Sequence, residues 1–390
     1  MDINDLLKVV VKNEASDLHL KSGNYPIIRK DGTLIQLKEF QKLSPMDTER
    51  ITDQLTSNFQ KKRLEKELDL EIAYGYPGLG RFRISIFFQR GTIALAMRFV
   101  PIEIKSIREL LLPKILETIS MERRGLVLVT GTTGSGKSTT LAAMIDHINS
   151  NNNDNVITIE DPIEFLHRDK KSTINQREVG IDVKNFAKGM RGALREDPDV
   201  ILVGEMRDEE TIGTALLAAE TGHLVMSTVH TLDSPETINR IISSFPPYHQ
   251  RQVRSQMASI LKAVISLRLI PRKDGEGRVP AVEVMINTPH IKECINDKDK
   301  TVLIRDAIAS GVSQYGMQTF DQSIYFLYRK GYISFEQGMK YSSSPDNFKL
   351  RVDGVQSTLD MALSEMEERM DDLEDEQLAE EVEKKIDSES

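Results

Sequence analysis

Apolar residues recur at helical spacing over residues 3–11, and residues 18–20 form a short strand-like run. Gly32 lies in a turn inside a further pair of strands. Ser44 followed by Pro45 has the form of a helix start, a hydroxyl cap with proline at the first helical position. That helix is expected to carry Ile51, Leu55 and Phe59 on its apolar side. Residues 81–88 and 93–100 are rich in β-branched and aromatic side chains and are separated by Gly91, which predicts an antiparallel pair. From Leu126 the pattern changes. Residues 126–130, 156–159, 200–203 and 224–228 are short apolar runs bounded by turn residues, and 137–149, 183–194 and 209–220 between them have helical character. Buried strands alternating with helices predict a mostly parallel sheet covered on both faces. Beyond Pro271 come a glycine-rich turn, a strand near 281–286 and several helices to about Tyr341. The expected class is α/β. A small α+β domain occupies 1–100, a linker 101–113, an α/β domain with carboxy-terminal helices 114–352, and a tail 353–390.

Composition narrows this picture. Over 390 residues, 39% hydrophobic content supplies a sizeable core and argues against global disorder. The single cysteine, Cys294, excludes a disulfide framework and a multi-cysteine zinc site, and fits a reducing compartment. The amino terminus has acidic residues where a signal peptide carries positive charge, and no apolar run approaches the ~20 residues that span a bilayer. A cytoplasmic protein is expected. The formal charge of −9 is spread unevenly: from Asp353 onward there are 15 acidic and 3 basic residues, a net of −12, which leaves residues 1–352 at +3. That nearly neutral body shows no basic stripe or aromatic stacking platform, so nothing argues for nucleic-acid binding. In the tail, Leu359, Leu363, Met366, Met370 and Leu373 make one apolar stripe, and the register breaks before Leu378, Val382 and Ile386. This reads as an acidic helix or a solvated, disordered segment.

The chemistry concentrates in four stretches. Gly131-Thr-Thr-Gly-Ser-Gly136-Lys137-Ser138 matches G-x-x-x-x-G-K-[ST], with an apolar strand before it and a helix after it. Thr132, Thr133, Gly134, Ser135, Gly136 and Thr139 are candidates to surround nucleotide phosphates with backbone N–H groups at a helix N-terminus. Lys137, expected to be exposed in the loop, supplies charge to the phosphates, and the Ser138 hydroxyl suits Mg²⁺. Asp199–Glu205 is an apolar strand ending in an acid, where Glu205 suits Mg²⁺ directly or through water. Thr158-Ile-Glu160-Asp161-Pro162-Ile-Glu164 ends another strand in carboxylates, which fits either a hydrolytic base or a surface loop with one helix cap. His223 and His230 flank the fourth core strand, and without cysteine partners their spacing does not suit zinc. Arg81, Arg83 and Arg98 alternate on strands of the first domain, as a solvated face or as arginine fingers.

Taken in order, GTTGSGKST, VITIEDPIEFLH, NQREVG, ALREDPDVILVGEMRD and AAETGHLVMSTVHT resemble the secretion ATPases, specifically the type IV pilus retraction motors of the PilT group. ASDLHL and GRFRISIFFQR near the amino terminus match that group too, and the resemblance covers roughly residues 1–350. PAVEVMINTP, GMQTFDQSIYFLYRKGYIS and SSSPDNFKLR look more like the PilU-type paralogue, to which the chain is expected to be closest, although LREDPDVILVGE is closer to the PilT pattern. The resemblance implies a PAS-like amino-terminal domain, a RecA-like ATPase domain and a hexameric ring that hydrolyses ATP with Mg²⁺ to drive pilus retraction. It makes Glu164 the general base, Glu205 a holder of Mg²⁺, and Glu160 a nucleotide-site residue. It brings His223 and His230 near the γ-phosphate, with Arg81, Arg83 and Arg98 reaching it from the first domain. The implied partners are an inner-membrane platform protein at the pilus base, which would bring the chain to the cytoplasmic face of that membrane, and a paralogous retraction ATPase. Competing readings are an accessory subunit that acts only with a cognate motor, and a pilus extension or secretion ATPase. Many of the latter carry a tetracysteine insert that one cysteine cannot build. A nucleic-acid translocase on the same core is disfavoured by charge.

Overall fold

The computed structural model describes residues 2–13, 15–30, 32–76, 80–100 and 104–354. The tail expected over 353–390, an acidic helix or a solvated segment, therefore falls, from residue 355 on, outside the described residues. The chain separates into two units, Met1–Glu103 with Glu164–Leu166, and Ile104–Ile163 with the chain from His167 onward.

In the first unit, the helix Ile3–Lys12 is capped by Asp2 and buries Ile3, Leu6, Leu7 and Val10, the one-face spacing read from the sequence. Its partner is a sheet of six strands: β1 (Asp17–Lys21), β2 (Ile27–Lys30), β3 (Thr33–Gln36), β4 (Asp69–Tyr76), β5 (Gly80–Gln89) and β6 (Thr92–Val100). Their order is β3-β2-β1-β6-β5-β4, with every neighbouring pair antiparallel. Alternation along β5 sends Phe82, Ile84 and Ile86 into the core and leaves Arg81 and Arg83 on the other face. Two features differ from expectation. The helix begun at Ser44 ends at Leu55, and a second helix runs over Asn58–Glu67, so Phe59 is 78% exposed instead of joining Ile51 and Leu55. The cause is local: Ser57 caps the new helix, with Gln60 answering its backbone N–H, and Thr56 before it is extended. Strand β4, not foreseen, is legible in hindsight from the alternation of Leu70 and Ile72 with polar neighbours.

The second unit is built on seven strands: β7 (Gly125–Thr130), β8 (Asn155–Glu160), β9 (Thr173–Glu178), β10 (Val200–Val203), β11 (Leu224–Val229), β12 (Leu261–Pro271) and β13 (Arg278–Ile286). Their order is β13-β12-β7-β11-β10-β8-β9, parallel except for the β12–β13 hairpin. Leu126 and Leu128 of β7 pack into one apolar layer, and Val127 and Val129 into the other, which is the two-sided burial that continuous apolar strands require. The helix Lys137–Asn151 covers one face through Leu141, Met144, Ile145 and Ile148. The helix Glu209–Glu220 covers the other through Ile212, Ala215 and Leu216. Strands β9 and β12 add to those read from the sequence. A satellite core of Phe320, Ile324, Phe326 and Phe348 packs on Ile270 and Val279 of the hairpin.

Candidate functional site

Parallel register places the carboxyl ends of four strands at one sheet edge. Thr130 of β7 pairs with Val229, Ser227 with Val203, and Val203 with Ile159, so the loops after β7, β8, β10 and β11 all leave the sheet on the same side. This is where open α/β sheets hold ligands. After β7 the chain turns through Gly131, Gly134 and Gly136, whose φ angles of 142°, 77° and 98° suit glycine. At Gly131 the need is also spatial, since a Cβ there would lie 2.4 Å from Ser135 Oγ and 2.6 Å from the Leu267 carbonyl oxygen. The helix begun at Lys137 has no side chain capping its N-terminus, and its first turn carries Ser138 and Thr139. Thr132, Thr133 and Gly134 are exposed at the crown of the loop. The buried hydroxyl oxygen of Ser135 has no hydrogen-bond partner among the described residues. Uncapped N–H groups, an unsatisfied hydroxyl and a cradle that a single Cβ would fill suit a bound polyphosphate.

Lys137 departs from expectation. It is buried, and its Nζ donates to the carbonyl oxygens of Gly131 and Thr132, each at 2.9 Å. The loop folds its own carbonyls around the cation that a phosphate would use.

Beside the loop, Glu205 follows β10 with only 14% of its side chain exposed. Arg207 Nε lies 2.6 Å from its Oε2 and His230 Nε2 lies 3.6 Å from the same oxygen. Burial, with Lys137 and Arg207 nearby, holds the His230 imidazole below its ordinary pKa against the pull of Glu205. His230 is thus a neutral imidazole near pH 7. Arg207 sits inside the quoted stretch ALREDPDVILVGEMRD, yet nothing in its spacing marked it as the partner of Glu205. Glu160, at the end of β8, accepts at Oε1 from Thr158 Oγ1 at 2.6 Å and from Gln176 Nε2 at 3.1 Å. Glu164 is exposed.

His223 is a correction. Strand β11 runs from Leu224, paired with Gly125, to Val229, paired with Thr130. His223 therefore lies at the opposite sheet edge from His230, roughly 20 Å away at the rise of a strand. Its Nδ1 lies 2.9 Å from the carbonyl oxygen of Ala218 in the preceding helix. A histidine before the strand and one after it cannot both touch a phosphate on the same P-loop. Only His230 is brought to that edge.

The arginines belong to the first unit. Arg83 is the cross-strand neighbour of Arg98, and each like charge is met by an acid: Arg83 reaches Glu71 at 2.9 Å and Arg98 reaches Asp17 at 3.0 Å. Burial raises the Asp17 carboxyl, but hydrogen bonds from Ser16 and Arg98 outweigh it and hold the group below its ordinary pKa. Arg81 lies two residues before Arg83, on the same face of β5. Among the described residues, no group of three or more His, Cys, Asp and Glu side chains forms a metal cage, and no helix is long and apolar enough to cross a membrane.

The chain matches the family described as Type II/IV secretion system protein over residues 1–336. The type IV pilus retraction ATPase PilT of Pseudomonas aeruginosa is 44% identical over 351 residues, 89% of this chain and 100% of that protein. The type IV pilus ATPase PilU of the same organism is 36% identical over 352 residues, 90% of this chain and 91% of PilU. A crystal structure of the pilus retraction motor PilT with bound ADP matches at 44% identity with a TM-score of 0.83, covering 89% of this chain and 98% of that one. The carboxy-terminal stretches that look PilU-like do not outweigh the rest of the chain in this comparison. The chain belongs to the type II/IV secretion system protein family, among its PilT-type P-loop ATPases.

Proposed function

We propose that this chain is a motor that hydrolyses ATP to power retraction of a type IV pilus. The observation that carries this reading is the likeness to PilT over the whole of that protein's length, with an intact P-loop edge in place. Glu164 acts as general base, taking a proton from the attacking water. Lys137 leaves the carbonyls of Gly131 and Thr132 to meet the β- and γ-phosphates, and the backbone from Thr132 to Thr139 cradles them. Mg²⁺, when bound, neutralises phosphate charge, with the Ser138 hydroxyl and Glu205 as its holders, the latter directly or through water. Arg207 keeps Glu205 oriented, and the single N–H of neutral His230 is offered toward the γ-phosphate position. Arg81, Arg83 and Arg98 supply positive charge to the transition state, with their acidic partners exchanged for phosphate.

The remaining features of the reading follow the family. The first unit, near residues 1–100, is PAS-like, the second is RecA-like, and six copies form a ring. An inner-membrane platform protein holds the ring at the cytoplasmic face. The PilU-like carboxy-terminal stretches favour one second reading, an accessory subunit working only beside a cognate retraction ATPase. Deletion of the gene and of its paralogue, singly and together, scored for pilus retraction, tests both. Retraction that survives loss of the paralogue alone and fails when both are lost supports an independent motor. Retraction already lost with the paralogue alone supports the accessory role, and retraction in every strain sinks both.

A further inference from the structure

Behind the P-loop the second unit buries a carboxylate. Glu283, on β13, is 4% exposed. Its Oε1 accepts from the Ser234 backbone N–H at 2.9 Å, from the Ser234 hydroxyl at 2.7 Å and from the Ser266 hydroxyl at 3.4 Å. The Ser266 hydroxyl in turn accepts from Thr130 Oγ1 at 3.0 Å. Thr130 is the last residue of β7 and is joined directly to Gly131. Ser234 is the first residue of the helix Ser234–Ser243 and follows His230 by four residues. Thr130, Ser234 and Ser266 are all fully buried.

A single carboxylate is thus bonded toward both sides of the nucleotide edge. Burial pushes its pKa up, while the Ser234 donors and nearby Arg268 oppose that shift. Apolar side chains would fill such a space without placing a carboxylate out of water, so packing alone gives no account of it. What the carboxylate supplies that an apolar side chain does not is a directional link.

We infer that Glu283 is a positioning residue for ATP hydrolysis, holding the root of the P-loop, through Ser266 and Thr130, in register with the His230 turn, through Ser234. It touches neither nucleotide nor Mg²⁺. It acts through Lys137 on one side and through His230 and Glu205 on the other. A change in the P-loop on nucleotide binding or product loss reaches the histidine turn through these hydroxyls.

The inference rests on the chain being an ATPase, and the test uses the full chain. Turnover and thermal unfolding are compared in wild type, Glu283→Met, Ser266→Ala and the double variant, with Glu283→Gln as the conservative control. Methionine fills the space and offers no oxygen acceptor to Ser234 or Ser266, whereas glutamine keeps an acceptor oxygen at the position that takes all three bonds. The expected result is a fall in kcat of ~10-fold in Glu283→Met and ~3-fold in Ser266→Ala, with KM for ATP moving by less than ~2-fold and with kcat in Glu283→Gln close to wild type. The double variant is expected to be no slower than Glu283→Met, because both changes break one link. Wild-type kcat in folded Glu283→Met overturns the inference, as do losses that multiply in the double variant or a raised KM with unchanged kcat. Should Glu283→Met fail to fold, Ser266→Ala decides alone, and wild-type kcat there overturns it. A wild-type chain without turnover would count against the ATPase reading itself.

Discussion

Lys137 is both part of the P-loop's charge and part of its structure. Because its ammonium already satisfies two loop carbonyls, Lys137→Ala is expected to abolish ATP turnover and also to lower nucleotide-free stability by roughly 1.5–3 kcal/mol, the range for hydrogen bonds to charged groups. An ATPase assay and denaturant unfolding check the two halves, and retained turnover would sink the P-loop assignment. Among the acids, Glu164→Gln is expected to keep nucleotide binding and to slow hydrolysis by ~10²–10⁴. Glu160 is already held by Thr158 and Gln176, so Glu160→Gln should be the milder change; the reverse order would move the base to Glu160. His230 adds a pH signature. Its folded pKa lies below the ordinary ~6.5, so the unfolded chain takes up the proton first as pH falls. Stability is then lost progressively below about pH 6.5, and His230→Gln should remove that part of the slope. Unfolding midpoints at neutral and mildly acidic pH, compared between the two proteins, measure it, and identical shifts would refute it.

At the scale of elements, caps and alternation decide boundaries. Ser57 and Gln60 satisfy each other's backbone N–H groups and start the helix Asn58–Glu67 within two residues of the previous helix's end. Ser57→Ala is expected to cost about 0.5–2 kcal/mol locally, seen as faster hydrogen exchange across Asn58–Glu67. Unchanged exchange would show that tertiary contacts, not the cap, hold that helix. Strands β7, β10 and β11 were readable as continuous apolar runs, since both faces are covered. Strand β9, with the sequence TINQRE, was not, because an edge strand with alternating exposure carries little apolar signal.

For the whole molecule, the unequal charge division sets the open question. The tail's net charge of −12 disfavours pairing between tails, so its apolar stripe is better matched to a basic groove on a partner than to itself. Truncation at Asp353 is expected to leave ATPase activity and oligomeric state unchanged. Lost retraction with intact ATPase activity would mark the tail as a docking helix, while full retraction would leave it a solubilising segment.

What the sequence determined by itself was chemistry that travels as contiguous motif: the P-loop between a strand and a helix, the acids at strand ends, the order of motifs that placed the family. These are short-range patterns, and local spacing is enough to read them. What only the tertiary structure decided was which of those residues meet. Strand β11 separates His223 from His230 by its own length, although seven positions apart they read as one box. Glu283 joins Thr130 and Ser234 from strands and turns far away in sequence, and no local pattern announces it. Parallel pairing brings distant segments to one edge, and burial then determines which polar groups there must find one another.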